Sequence, residues 1–354
     1  MRYVNVGSIC QGMILGQDIW DANGFLLLRH GQKIYDTYIN RMINMGVMGV
    51  YIEDRYTEDV VINPVVKDET RMNAVKNIRN FYMSSAKHST ASDREMEEVM
   101  DALQQMVDEI FFCQNPIYDV REFKTEKDYS YYHSINMAII SMIMGTGLSL
   151  KKSELKQLGV CAAFCDIGLG TLDQELLERK GPMTPNEIDT VRKHPLIGFS
   201  MAQQLHSVHA RVGQGILHHH ERWNGTGYPE GLSGEDINLY SRLIAVADVY
   251  DALVSNRPYR PAVATQEAFE YIMANGGILF DPEIVKIFTR KIAAYPIGTV
   301  VRLSEGNIAV VKNNHFDMSL RPIVKVVDKP ERLRIIDLKD DPGARSLTIT
   351  GLGD

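Results

Sequence analysis

The sequence predicts a multidomain, mainly α protein: an all-α domain, preceded by a small α/β domain and followed by a small β appendage. Three observations predict it. The chain has 354 residues, enough for two or three domains at roughly 150 residues each. Residues 115–294 carry helical apolar spacing almost without a break. Short apolar runs punctuated by Gly, Asn and Pro flank that stretch on both sides. The patterns divide the chain into 1–65 (α/β), 66–114 (helical linker), 115–294 (all-α) and 295–354 (β appendage).

In the first region, runs 13–20 and 25–28 read as strands around Asp21-Ala22-Asn23-Gly24, and Asn-Gly between apolar runs is a hairpin signal. Residues 35–45 have helical spacing and 49–52 read as a short strand. Residues 68–81 form the next helix. Ser92-Asp93-Arg94-Glu95 then reads as a capping box. Behind it Met96, Val99, Met100, Leu103, Met106, Val107, Ile110 and Phe111 repeat at helical spacing. That Met-rich stripe is either core packing or an adaptable surface for a second copy or a signalling partner.

In the all-α region, 131–145, 153–165, 184–194, 196–206, 212–221, 241–254, 265–275 and 281–293 are the candidate helices. Thr184-Pro185-Asn186-Glu187 offers an N-cap, a proline at N1 and a glutamate at N3, and Asp281-Pro282 a shorter start signal. After Tyr295-Pro296, runs 300–303, 308–311, 323–327 and 333–337 read as strands.

Composition excludes several classes. Hydrophobic residues at 45% and charged residues at 23% exclude a mostly disordered chain. Lys and Arg total 38 against 45 Asp and Glu, so no basic face for DNA or RNA is expected. The longest apolar stretch, 135–144, falls short of the roughly 20 residues of a membrane span, and 1–7 lack an apolar signal core. A soluble, cytoplasmic protein is expected. Four cysteines are too few for a disulfide scaffold of this length.

Six of the ten histidines lie between His194 and His220. His218-His219-His220 is the densest part, although neighbours on a helix point about 100° apart, so at most two of the three share a site easily. Neutral imidazoles bind Zn, Fe and Mn, and carboxylates can bridge a pair of such ions. Asp248, set among apolar residues, is expected to be buried, and a buried carboxylate needs a cation or several hydrogen bonds. Bland alternatives stand beside each residue: His133 as a satisfied core histidine, His194 as a helix-end cap, Asp248 as the partner of an arginine. Together they favour a metal site.

The segment His219-His220-Glu221-Arg222-Trp223-Asn224-Gly225-Thr226-Gly227-Tyr228-Pro229 resembles the signature of the bacterial HD-GYP family, cyclic di-GMP phosphodiesterases of the HD superfamily of metal-dependent phosphohydrolases. Tyr132-His133-Ser134, Cys165-Asp166-Ile167-Gly168, His194-Pro195-Leu196-Ile197-Gly198, Ala247-Asp248-Val249-Tyr250-Asp251 and Arg257-Pro258-Tyr259-Arg260 extend the resemblance over about residues 120 to 292. It implies metal ligands at His133, Asp166, His194, His219, His220 and Asp248, with Asp166 as the bridging, catalytic carboxylate. It implies that Gly225 and Gly227 allow a tight loop, that Tyr228 and Pro229 wall the substrate, and that Arg257 and Arg260 meet phosphate or guanine. For Arg260, simple helix-end solvation is the competing reading.

Departures from the pattern matter. Cys165 stands at the first position of the name-giving pair, either as a thiolate ligand or as core packing one helical turn from Cys161. Leu169 replaces a lysine expected beside the scissile phosphate, a loss worth about 10²–10³ in rate. Tyr129 stands where some members carry a glutamate for a third metal, so at most two divalent ions are expected, Fe or Mn, with Zn admitted by the same donors. Asn224 replaces an aspartate. Two functions follow from the resemblance: a phosphodiesterase for cyclic di-GMP, weakened by these changes, or a degenerate domain that binds cyclic di-GMP or a partner protein without turnover.

Overall fold

The computed structural model describes residues 1–21, 23, 25–45, 47, 49–88, 93–118, 129–177, 179, 181–204, 209–256, 260, 262–328 and 334–353. Ala22, Gly24, Ser92, Arg257, Pro258, Tyr259 and Leu333, which carry sequence expectations, lie outside the described residues.

In chain order the elements are β1 (Arg2–Asn5), β2 (Ile14–Leu15), β3 (Ile19–Trp20), β4 (Leu26–Leu28), α1 (Asp36–Asn44), β5 (Gly49–Glu53), α2 (Asp68–His88), α3 (Asp93–Phe112), α4 (Tyr129–Gly147), α5 (Lys152–Phe164), α6 (Gln174–Leu177), α7 (Pro185–Val191), α8 (His194–Gln203), α9 (Ala210–His218), α10 (Leu239–Val254), α11 (Thr265–Ala274), α12 (Pro282–Lys291), β6 (Val300–Leu303), β7 (Ile308–Asn313), β8 (Ile323–Val326), β9 (Ile335–Asp337) and β10 (Ile349–Leu352). The protein is thus mainly helical, with small sheets before and after the helices.

Among the described residues, those of 1–64, Ile117, Tyr118 and those of 292–353 form one compact unit, and those of 65–116 and 129–291 form the other. In the first unit, β1, β5 and β2 make an antiparallel sheet in that order, and β3 pairs with β4 as the hairpin signal requires. The apolar run 13–20 does not form one strand. It splits into β2 and β3, which join different sheets. Val4, Leu15, Ile34, Met42, Val50 and Ile52 form the core beneath. The later strands make a five-stranded antiparallel sheet in the order β10-β6-β7-β8-β9. Val60 packs on Val300 and Val310 of this sheet. Strand β10 was not expected, because Thr348 to Gly353 shows little apolar alternation.

The helical unit is built around α4. Every residue of α4 from Tyr132 to Gly145 is buried, so this helix has no polar face. Each of Ile135, Ile139, Ile140 and Ile143 contributes about 1.5–3 kcal/mol through that burial. No helix among the described residues is long and apolar enough to cross a membrane. Most of the stripe on α3 faces inward: Met96, Val99, Leu103, Met106, Val107 and Ile110 are buried, Met100 is half-buried, and Phe111 at its end is exposed. Helix α7 starts as its signal requires, with Thr184 accepting from Glu187 N and Glu187 accepting from Thr184 N.

Candidate metal centre

Five chain segments of the helical unit bring polar side chains to one place. His133 comes from α4 and Asp248 from α10. Asp166 follows the end of α5 and precedes the 3-10 turn Ile167–Thr171. His194 opens α8, while His219 and His220 follow the last residue of α9. A side chain on Gly168 would place its Cβ 2.2 Å from the carbonyl oxygen of His194. Only glycine lets the turn carrying Asp166 press against the start of α8, and that contact sets Asp166 beside His194.

Asp166, His194, His219 and His220 each bring one donor atom within 4.8 Å of the others. His194 Nε2 lies 3.2 Å from Nε2 of His219 and 3.2 Å from Nε2 of His220. His194 Nδ1 donates to Val191 O at 2.8 Å, and His219 Nδ1 donates to Ile216 O at 2.7 Å. A carbonyl can only accept, so both Nδ1 atoms carry their protons. The Nε2 atoms of His194 and His219, left with lone pairs in the neutral rings, then face each other. Lone pairs held this close repel unless a cation or a proton lies between them. The donor set therefore fits a divalent metal ion.

Asp166 divides its oxygens. Oδ1 lies 3.3 Å from His194 Nε2 and 3.6 Å from His219 Nε2, while Oδ2 lies 3.8 Å from His133 Nε2. Asp248 closes the ring: Oδ1 is 3.2 Å from His133 Nε2 and Oδ2 is 3.7 Å from His220 Nδ1. His133, His194 and His219 are 3%, 2% and 1% exposed, whereas the carboxylates keep 19% (Asp166) and 13% (Asp248) of their side-chain surface. The group is buried around His133, His194 and His219 and opens at Asp166, His220 and Asp248.

Burial alone would lower the pKa of His133, but the carboxylates of Asp248 and Asp251 more than offset it and hold the ring at about 9. Burial would raise Asp166, and its attraction to the His194 and His219 rings outweighs it, so this carboxyl lies well below the usual range. His220 is pushed well down, first by burial and then by its neighbour His219. The metal-free group is thus a mixture of charged and neutral rings around ionised carboxylates.

Other expected residues fall as follows. His218 turns away, its Nε2 3.2 Å from Glu230 Oε2. Tyr228 stacks on His220, ring centres 4.8 Å apart, and a cis peptide bond joins it to Pro229. Gly225 has φ +76°, and a Cβ on Gly227 would lie 2.4 Å from the Cα of Glu221. Asn224 Oδ1 accepts from Thr226 N and Thr226 Oγ1, bonds its amide oxygen makes as well as a carboxylate would. Two residues are not brought to the group. Cys165 is fully buried, with Sγ donating to Ala162 O at 3.2 Å and 4.0 Å from Met137 Sδ. Its thiol pKa is raised far above normal, first by burial and then by Asp166. Arg260 donates to Ala252 O in the last turn of α10. Tyr129 stacks on His133 at 5.3 Å.

Four residues around the group were assigned no role from the sequence. Asp251 Oδ2 accepts His133 Nδ1 at 2.7 Å, and Asn136 Nδ2 donates to Asp251 Oδ1 at 2.8 Å. Their spacing gave a signal: Asp251 and Asn136 each lie three residues after a candidate ligand, on the same helix face. Glu221 Oε1 accepts from Glu230 N and Gly231 N, gathering the loop that carries Tyr228. Arg192 lies over the Tyr228 ring, 5.3 Å from its centre.

A family profile described as HD domain matches residues 121–284. A cyclic di-GMP phosphodiesterase of Pseudomonas aeruginosa is 31% identical over 339 residues, covering 91% of this chain and 81% of the relative. A cyclic di-GMP phosphodiesterase response regulator of Xanthomonas campestris is 37% identical over 155 residues, 44% of this chain and 41% of the relative. The solved structure of an HDG"Y"P protein from Bdellovibrio bacteriovorus shares the fold, with a TM-score of 0.50 at 16% identity over 81% of this chain and 97% of that one.

Proposed function

Because this chain belongs to the HD-GYP family of HD-domain phosphohydrolases, we propose that it is a metal-dependent phosphodiesterase that hydrolyses cyclic di-GMP. The observation that carries this reading is the divided carboxylate of Asp166, one oxygen toward His133 and the other toward His194 and His219. A carboxylate placed so can hold two divalent ions, with His133 and Asp248 on one side and His194, His219 and His220 on the other. Divalent ions bound there would lower the pKa of water and neutralise charge growing on a phosphate.

The rest is performed by side chains. Asp166 and Asp248 would supply the negative charge to hold the cations, and the bonds from Nδ1 of His194 and His219 to carbonyls keep their Nε2 atoms aimed inward. Tyr228, braced on His220, offers a flat wall for a guanine base or its ribose. Arg192, over the Tyr228 ring, adds a guanidinium to this wall that could meet a phosphate. The names of the relatives supply the choice of cyclic di-GMP.

A second reading rests on Cys165. With its thiol turned into the core, the side holding His133 has three donors, His133, Asp166 and Asp248, and the domain would then be a cyclic di-GMP-binding module without turnover. The test is product formation from cyclic di-GMP by protein purified without oxygen and loaded with Fe(II) or Mn(II). Linear dinucleotide or GMP formed only with metal, and abolished in His219→Ala, supports the enzyme. A folded, loaded sample that binds cyclic di-GMP and releases no product assigns it to the binding module. Faster turnover of another cyclic dinucleotide would move the substrate but not the reaction.

A further inference from the structure

We infer that Arg71 of α2 is a positioning residue for His133, acting through Asn136 and Asp251 across three helices. Arg71 Nη2 donates to Asn136 Oδ1 at 2.6 Å. Asn136 Nδ2 donates to Asp251 Oδ1 at 2.8 Å, and Asp251 Oδ2 accepts His133 Nδ1 at 2.7 Å. The four residues are 4%, 1%, 1% and 3% exposed, so water does not compete for these bonds.

Each link constrains the next. A guanidinium has only donors, so it fixes the amide oxygen of Asn136 toward Arg71 and the amide nitrogen toward Asp251. That nitrogen occupies one oxygen of Asp251 and leaves the other for His133. Accepting the Nδ1 proton sets the imidazole tautomer and turns Nε2 toward Asp166 and Asp248. Arg71 also places a positive charge one amide away from a carboxylate buried in the core, where an uncompensated charge is costly. Arg71 lies before the matched family region, residues 121–284. The orientation of one ligand in the candidate centre therefore depends on a helix outside that region, and a shift of α2 against α4 would loosen His133 while leaving His194, His219 and His220 in place.

The inference rests on the reading of His133 as a ligand, and two measurements separate their failures. The first is metal titration of full-length wild type, Arg71→Met, Arg71→Lys and Asn136→Ala with Co(II), following its visible spectrum. Arg71→Met and Asn136→Ala are expected to bind one equivalent as wild type does and the other 10–100-fold more weakly, with Arg71→Lys intermediate. Circular dichroism checks that each variant is folded. The second is NMR of 15N-histidine-labelled, metal-free protein, in which His133 holds its Nδ1 proton in wild type and loses that fixed state in Arg71→Met and Asn136→Ala. Wild type that binds no ion, with the NMR change present, refutes the ligand role and leaves the positioning of His133 standing. Variants whose His133 signals match wild type overturn the inference. So do folded variants that keep both equivalents at wild-type affinity, or lose both equally.

Discussion

In the helical unit, Asp166, His194, His219 and His220 bring their donor atoms within 4.8 Å of one another; in the other unit, His315, Asp337 and Asp340 do the same. The two groups share chemistry and differ in what already occupies their atoms. Asp337 Oδ1 accepts from Lys339 N, Asp340 N and His315 Nε2, so it closes a turn. Lys339 adds an ammonium 2.9 Å from Asp317 and 4.0 Å from Asp340, a cation beside the carboxylates. Asp166 has histidine nitrogens on both sides, and the Nε2 atoms of His194 and His219 face each other. Proximity of ligand types is therefore a weak indicator. Donor atoms that converge on one another, rather than on backbone N–H groups or an ammonium, are the stronger one.

The largest way to break this contrast is Asp166→Asn. Replacing the divided carboxylate by an amide should lower turnover of cyclic di-GMP by at least about 10²–10³, read from product chromatography. Next comes pH. Because His133 holds its proton up to about 9 without metal, protons compete for Nε2. Metal affinity should rise from pH 6 toward 9, roughly tenfold per unit for each proton displaced, as calorimetry would show. A flat profile would place His133 outside the centre. A smaller effect is expected for Cys165→Ala: unchanged metal content, with stability lowered by about 1 kcal/mol from lost packing. Lost metal would make the thiol a ligand.

The smallest effect lies in the other unit. Asp59 accepts from Lys312 at 2.6 Å and from Lys325, bonds that bring its carboxyl down to about 2. A lowered carboxylate stabilises the fold above its ordinary pKa and loses that contribution as pH falls through the folded value. The advantage of wild type over Asp59→Asn should be at most about 1 kcal/mol at neutral pH, because the carboxylate is half exposed, and should fade from pH 4 to 2. Thermal melts at several pH values would read it.

Much of this was legible in the sequence because it is local. Helical spacing located α3 and α4, and Thr184 to Glu187 fixed the start of α7. The 100° step between helical neighbours implied that His218, His219 and His220 could not all converge, and His218 does turn away. What stayed hidden depends on how helices meet. The bond from Arg71 to Asn136 joins residues 65 apart, and no spacing rule reaches that far. The direction of the Cys165 thiol was also hidden, since a residue at a helix end can face the core or the site, and Ala162 and Met137 decide it. The split of 13–20 into two strands follows from pairing, which the apolar run by itself does not encode.

On this reading the metal is held by the buried histidine and aspartate group of the helical unit and not by the group at His315. Metal content per chain after anaerobic loading, measured by mass spectrometry on wild type, Asp166→Asn and Asp337→Ala, tests it most directly. Wild type and Asp337→Ala are expected to hold metal, and Asp166→Asn to lose it. Metal retained in Asp166→Asn and lost in Asp337→Ala would contradict it.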